Sequence, residues 1–128
     1  KSQGNTIDIF LDDKKLRKQI MKIQTDSTPM EEAKDPSACN LFALYQLIGS
    51  EEEIAELKSK YEGGNFGYGH AKQAFYELVL AKFSKERERF NYFLSHLEEI
   101  DHALEMGAAK AREVAAEVLQ RTRSKVGY

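Results

Sequence analysis

Apolar residues recur along this chain at spacings of three and four almost throughout, and strict alternation never lasts long enough to predict a strand. The period predicts an all-α protein. Asp12 can cap a helix whose buried stripe is Leu16, Ile20 and Ile23, with Lys14, Lys15, Arg17, Lys18 and Lys22 on the other faces. Residues 24–38 carry Pro29, Pro36 and several small polar side chains, and read as a linker. Leu41, Leu44, Tyr45 and Ile48 line a short helix ended by Gly49. Ser50 and Glu53 then have the spacing of a capping box for a helix holding Ile54, Leu57 and Tyr61, which Gly63-Gly64 stops.

A long helix starts near Gly69 or His70 and carries Phe75, Val79, Phe83 and Phe90, with a bend or break at Phe93-Leu94-Ser95. Leu97, Ile100 and Leu104 continue the stripe to Gly107, and Ala111, Val114, Ala115, Val118 and Leu119 give the last helix the clearest pattern of all. No internal repeat or low-complexity segment interrupts the series. The expected product is a helical bundle around a core rich in Phe, Leu and Ile.

Composition narrows this picture. A length of 128 residues, 41% of them hydrophobic, suits one soluble domain that buries a core. Nineteen Lys and Arg against 21 Asp and Glu leave no global positive field, so any contact with RNA must be local. The apolar runs fall far short of the roughly 20 residues a membrane helix needs, and a cytoplasmic protein without membrane contact is the plain reading. The single Cys39 excludes an internal disulfide and the paired cysteines of zinc or iron-sulfur sites. It reads as a small buried filler beside an apolar helix start.

Little in the sequence points to catalysis. His96 and His102 are six residues apart, which turns them to different faces of a helix, and neither they nor His70 stand in an HExxH spacing. No metal site is expected. Glu98, Glu99, Asp101 and Glu105 read as a solvated helix face, and Lys110, Arg112, Arg121, Arg123 and Lys125 as a locally basic tail. The segment Gly64-Asn65-Phe66-Gly67-Tyr68-Gly69-His70-Ala71-Lys72 is richer, because it sets glycines, aromatics and a lysine at the approach to a helix N-terminus. Two readings stay open there: glycines that make turns over packed aromatics, or aromatics that stack on an unpaired base while Lys72 pairs with phosphate.

The ordered motifs carry a resemblance. Lys1-Ser2-Gln3-Gly4-Asn5, a basic helix leading to Thr25-Asp26-Ser27, then Asp35-Pro36, Asn40-Leu41, Leu44-Tyr45, Tyr61-Glu62-Gly63 and Tyr68-Gly69-His70-Ala71-Lys72 resemble the C-terminal part of bacterial tryptophanyl-tRNA synthetases, essentially end to end. The resemblance implies a parent enzyme that activates tryptophan with ATP and Mg and transfers it to its tRNA. Lys1 and Ser2 would match the last two residues of the KMSKS loop, with residues 1–11 as the remnant of that loop and its anchor and residues 12–128 as a helical anticodon-binding domain of the class I synthetase type. The nucleotide-binding domain has no counterpart here, so the isolated chain is expected to be inactive and to bind no cofactor. Some relatives carry a cysteine cluster for iron and sulfur; one Cys39 departs from that pattern.

The implied partners are the anticodon region of tRNA(Trp) and the catalytic domain of the same protein, in a parent that forms a homodimer. Tyr68, His70, Lys72 and Asp26 are the candidate RNA contacts. The alternative is a stand-alone helical RNA-binding or protein-interaction module related to such domains.

Overall fold

Asp12 caps the first helix, its Oδ1 accepting from the Lys15 amide at 3.0 Å, and α1 runs over Asp13–Met21. In the computed structural model, residues 6–127 are described, and the chain divides into two compact units, Lys1–Arg87 and Glu88–Tyr128. Among the described residues the elements are helices joined by loops, with a short 3-10 turn at Pro36–Ala38 and no strand.

In the first unit, α2 (Asn40–Ile48) ends at Gly49, whose extended backbone turns the chain toward Ser50. Ser50 Oγ accepts from the Glu53 amide at 3.3 Å, while Glu53 Oε2 accepts from the Ser50 amide at 2.7 Å, completing the capping box of α3 (Glu51–Glu62). Helix α4 (Tyr68–Lys82) follows after a loop in which Gly64 and Asn65 both take positive φ. The core joins Leu16 and Ile20 of α1 to Leu41, Phe42 and Tyr45 of α2, Leu57 and Tyr61 of α3, and Ala71, Phe75, Leu78 and Val79 of α4. Each Leu or Ile fully withdrawn from water contributes roughly 1.5–3 kcal/mol. Tyrosine shares that core: Tyr61 is fully buried, packs edge-on against Phe42, and faces the buried Cys39 with its hydroxyl 3.6 Å from Sγ.

The long helix expected from residue 69 onward is broken earlier than its pattern predicts. Phe83 leaves helical geometry at φ −107°, ψ 18°, and α5 (Ser84–Ser95) begins at the next residue. Arg87, at the end of this unit, reaches back to the segment before α1. Its guanidinium donates to the carbonyls of Ile9 and, at 2.9 Å, Leu11, and pairs with Asp13 at 2.6 Å.

In the second unit the chain breaks once more at His96, whose ring stacks on Tyr92 with centroids 4.1 Å apart. Helix α6 then spans Leu97–Val126 and passes straight through Gly107, so the two short helices expected there are one. Gly127 ends it in the left-handed conformation at φ 89°. The apolar stripe expected to be buried is open to solvent: α6 buries none of its residues, and Leu104, Val114, Val118 and Leu119 are all exposed. Periodicity records that a helix has an apolar face, and within this unit no element covers it.

Candidate nucleic-acid interface

The linker-like stretch between α1 and α2 is held in place by polar bonds. Asp26 Oδ1 accepts from the Thr28 amide at 2.8 Å, the Met30 carbonyl accepts from the Phe66 amide at 3.0 Å, and the Tyr61 carbonyl accepts from the Lys34 amide at 2.8 Å. Gly64 passes so close to this loop that a Cβ there would lie 2.6 Å from the Glu31 carbonyl oxygen. The loop thereby closes over the end of α3 and the start of α4.

Lys34 is the buried charge at its centre, with 3% of its surface exposed. Nζ donates to the carbonyls of Pro29 at 2.8 Å and Glu32 at 3.1 Å and stands 5.3 Å above the centroid of the Tyr68 ring. A buried ammonium is tolerated only when its donors are satisfied, and here two carbonyls and an aromatic face do so.

Tyr68 opens α4 with its ring half-buried, edge-on to Tyr61 at 6.1 Å. Its hydroxyl is buried and meets no partner in hydrogen-bond geometry, yet the Asp26 carboxylate is near enough to act on it through space. Burial first, and that carboxylate second, push the Tyr68 pKa up to about 12. Asp26 is exposed and is held below the usual carboxylate value, chiefly by the Thr28 side chain and amide, with Tyr68 and Lys34 adding to the effect. His70 is also exposed, its ring 5.9 Å from that of Phe66. Lys72 is half-buried and donates from Nζ to the Met21 carbonyl at 3.3 Å, tying α4 to the end of α1.

The four predicted contacts thus sit on one loop and on the first turns of α4. Tyr68 and Asp26 are electrostatically coupled, His70 is exposed two residues further along α4, and Lys72 is engaged with α1. Gly67, which precedes α4, supplies no side-chain cap. Lys34 and Arg87 are the polar anchors that the sequence does not reveal, since a lysine among prolines and an arginine in a charged helix both read as solvated. Lys1 and Ser2 lie outside the described residues, as does Tyr128. Among the described residues no group of three metal-ligating side chains comes together, and no helix is long and apolar enough to cross a membrane.

No protein-family model matches the chain. Tryptophan-tRNA ligase of Campylobacter jejuni strain RM1221 is 47% identical over 130 residues, which cover 99% of this chain and 40% of the relative. The tryptophan-tRNA ligase of Rhodopirellula baltica is 44% identical over 127 residues, again 99% of this chain and 40% of the relative. The crystal structure of tryptophanyl-tRNA synthetase from Campylobacter jejuni complexed with ADP and tryptophan matches with a TM-score of 0.95 at 44% identity, over 100% of this chain and 40% of that one. A second structure of the Campylobacter jejuni synthetase matches at 0.94 and 43%, over 99% and 41%.

These relatives are class I aminoacyl-tRNA synthetases, and the helical fold of this chain matches their helical C-terminal part. Over its whole length it is homologous to the C-terminal part of tryptophan-tRNA ligases, and it spans about 40% of the length of the relatives it matches.

Proposed function

We propose that this chain is the tRNA-reading part of a tryptophan-tRNA ligase, an enzyme that activates tryptophan with ATP and Mg and transfers it to tRNA(Trp). The observation that carries the reading is that the loop bearing exposed Asp26 is hydrogen-bonded, through the Met30 carbonyl and the Phe66 amide, to the approach of the helix that carries exposed His70. An unpaired anticodon base needs a flat partner and an edge-reading group. The His70 ring offers the first, and the Asp26 carboxylate, kept ionised by Thr28, accepts from an exocyclic amino group. Lys72, one turn along α4 from Tyr68, is the candidate for the phosphate backbone, and Tyr68 packs behind the exposed surface.

In this reading residues 12–128 form the anticodon-binding domain and residues 1–11 the end of the ATP-binding loop with its anchor, Lys1 and Ser2 serving the ATP phosphates in the parent. Catalysis belongs to the part of the relatives outside this span, and the open stripe of α6 is suited to packing on it. The parent is a cytoplasmic homodimer joined mainly through its catalytic part. The test uses the full-length ligase that contains this chain. His70→Ala and Asp26→Ala are expected to raise the KM for tRNA while tryptophan-dependent pyrophosphate exchange stays unchanged. Equal losses in both reactions overturn the reading.

A further inference from the structure

We infer that Lys34 is a positioning residue for tRNA: it holds the Asp26-bearing loop in register with the start of α4 without touching RNA itself. This rests on the proposed tRNA-reading surface. Lys34 joins three pieces of backbone, through its amide to Tyr61 at the end of α3 and through Nζ to Pro29 and Glu32 within the loop. The same Nζ faces the ring of Tyr68, the first residue of α4. Around it the loop has no helix or sheet to define its path; the Glu32 amide closes a turn on the Pro29 carbonyl at 3.3 Å, and the ammonium on which the Pro29 and Glu32 carbonyls converge holds residues 29–34 folded back on themselves. Residues 30 and 31 are there brought against Phe66 and Gly64, the approach to the helix that carries His70. Without the ammonium, the Glu32 carbonyl loses this donor and the Pro29 carbonyl keeps only the longer bond from the Glu32 amide, so the loop loosens to hydrate them. Asp26 and His70 then no longer meet an unpaired base in one geometry, and the cost of ordering the loop falls on tRNA binding.

The experiment compares Lys34→Met, Lys34→Arg, Asp26→Ala and His70→Ala in the full-length ligase. Lys34→Met is expected to raise the tRNA KM about tenfold with pyrophosphate exchange intact. Lys34→Arg, which still offers donors to both carbonyls, recovers most of the loss. Because Lys34 is buried, the slope of log affinity against log salt stays as in the parent, whereas a direct phosphate contact would flatten it by about 0.7–0.9. A folded Lys34→Met protein with unchanged tRNA KM, or a flattened salt slope, overturns the positioning role provided Asp26→Ala and His70→Ala still raise the KM. If those two also leave it unchanged, the tRNA-reading surface itself is wrong. Should Lys34→Met not fold, Lys34→Gln, which removes the charge but keeps an NH2 group, carries the same comparison.

Discussion

Lys72 Nζ donates to the carbonyl of Met21 across 3.3 Å, joining the beginning of α4 to the last residue of α1. That carbonyl belongs to the final turn of a helix, where oxygens lack intrahelical partners and the dipole favours a cation. The lysine that looks like a phosphate contact in the sequence is therefore also a helix-end ligand within the fold. Lys72→Met is expected to lower the stability of the chain by about 0.5–1.5 kcal/mol, the usual net worth of one such bond. Urea unfolding at pH 7 measures it, and an unchanged midpoint at unchanged slope rules out the structural contribution. If Lys72 meets RNA phosphate as well, the salt slope of tRNA binding falls by about 0.7 in the same variant.

Tyr68 carries a buried hydroxyl without a hydrogen-bonding partner of good geometry. Removing an unsatisfied buried group relieves its desolvation cost, so Tyr68→Phe is expected to leave stability at pH 7 unchanged or to raise it by up to about 1 kcal/mol. The folded pKa of about 12 lies above the ordinary 10.0, so the neutral hydroxyl is the form folding favours. Its contribution is complete below the ordinary value and is lost as pH rises through the folded one. The parent chain should therefore lose stability between about pH 10 and 12, and Tyr68→Phe should lose less across that window. Equal alkaline slopes in both proteins contradict this account.

What the sequence reveals and conceals follows from how local each signal is. Asp12, Ser50 and Glu53 announce helix starts because a cap is a bond within three residues, and all of them make it. Phe83 gives no warning of the break it makes, since the apolar period runs on through it without glycine or proline. Lys34 is hidden for the opposite reason. Its partners Pro29, Glu32 and Tyr68 are brought together only by the tertiary path of the loop, and nothing in a Pro-rich polar stretch distinguishes a lysine that will be buried. The motif residues around Tyr68 and Asp26 were legible as a group, but which of them face outward depends on Tyr61 and Lys34 beneath them.

Gly64 sits at φ +70° with the Glu31 carbonyl where a side chain would begin. Gly64→Ala therefore meets both a left-handed backbone that disfavours Cβ and a backbone oxygen that cannot rotate away. The expected loss is about 1–3 kcal/mol, read from the denaturation midpoint. Gly64→Asn separates the two causes, because asparagine tolerates positive φ but keeps the Cβ. If Gly64→Asn is as stable as the parent, the close approach to Glu31 is not what fixes glycine here.

Leu57 and Leu104 both stand in helical apolar stripes, yet Leu57 is 3% exposed in the core of the first unit and Leu104 is 64% exposed on α6. Truncating the first leaves a cavity in the core that Leu57 shares with Phe42 and Tyr61, and Leu57→Ala is expected to cost about 2–5 kcal/mol. Truncating the second removes a side chain that mostly faces water, so Leu104→Ala should stay within about 0.5 kcal/mol of the parent in this chain. The order changes when a partner covers α6. In the full-length ligase, where the proposal places the catalytic part against this stripe, Leu104→Ala should become destabilising while the Leu57→Ala cost stays as it was. Thermal unfolding of both variants in both lengths measures the four values. A Leu104→Ala cost that remains negligible in the longer protein would mean that this position of the stripe stays open there too.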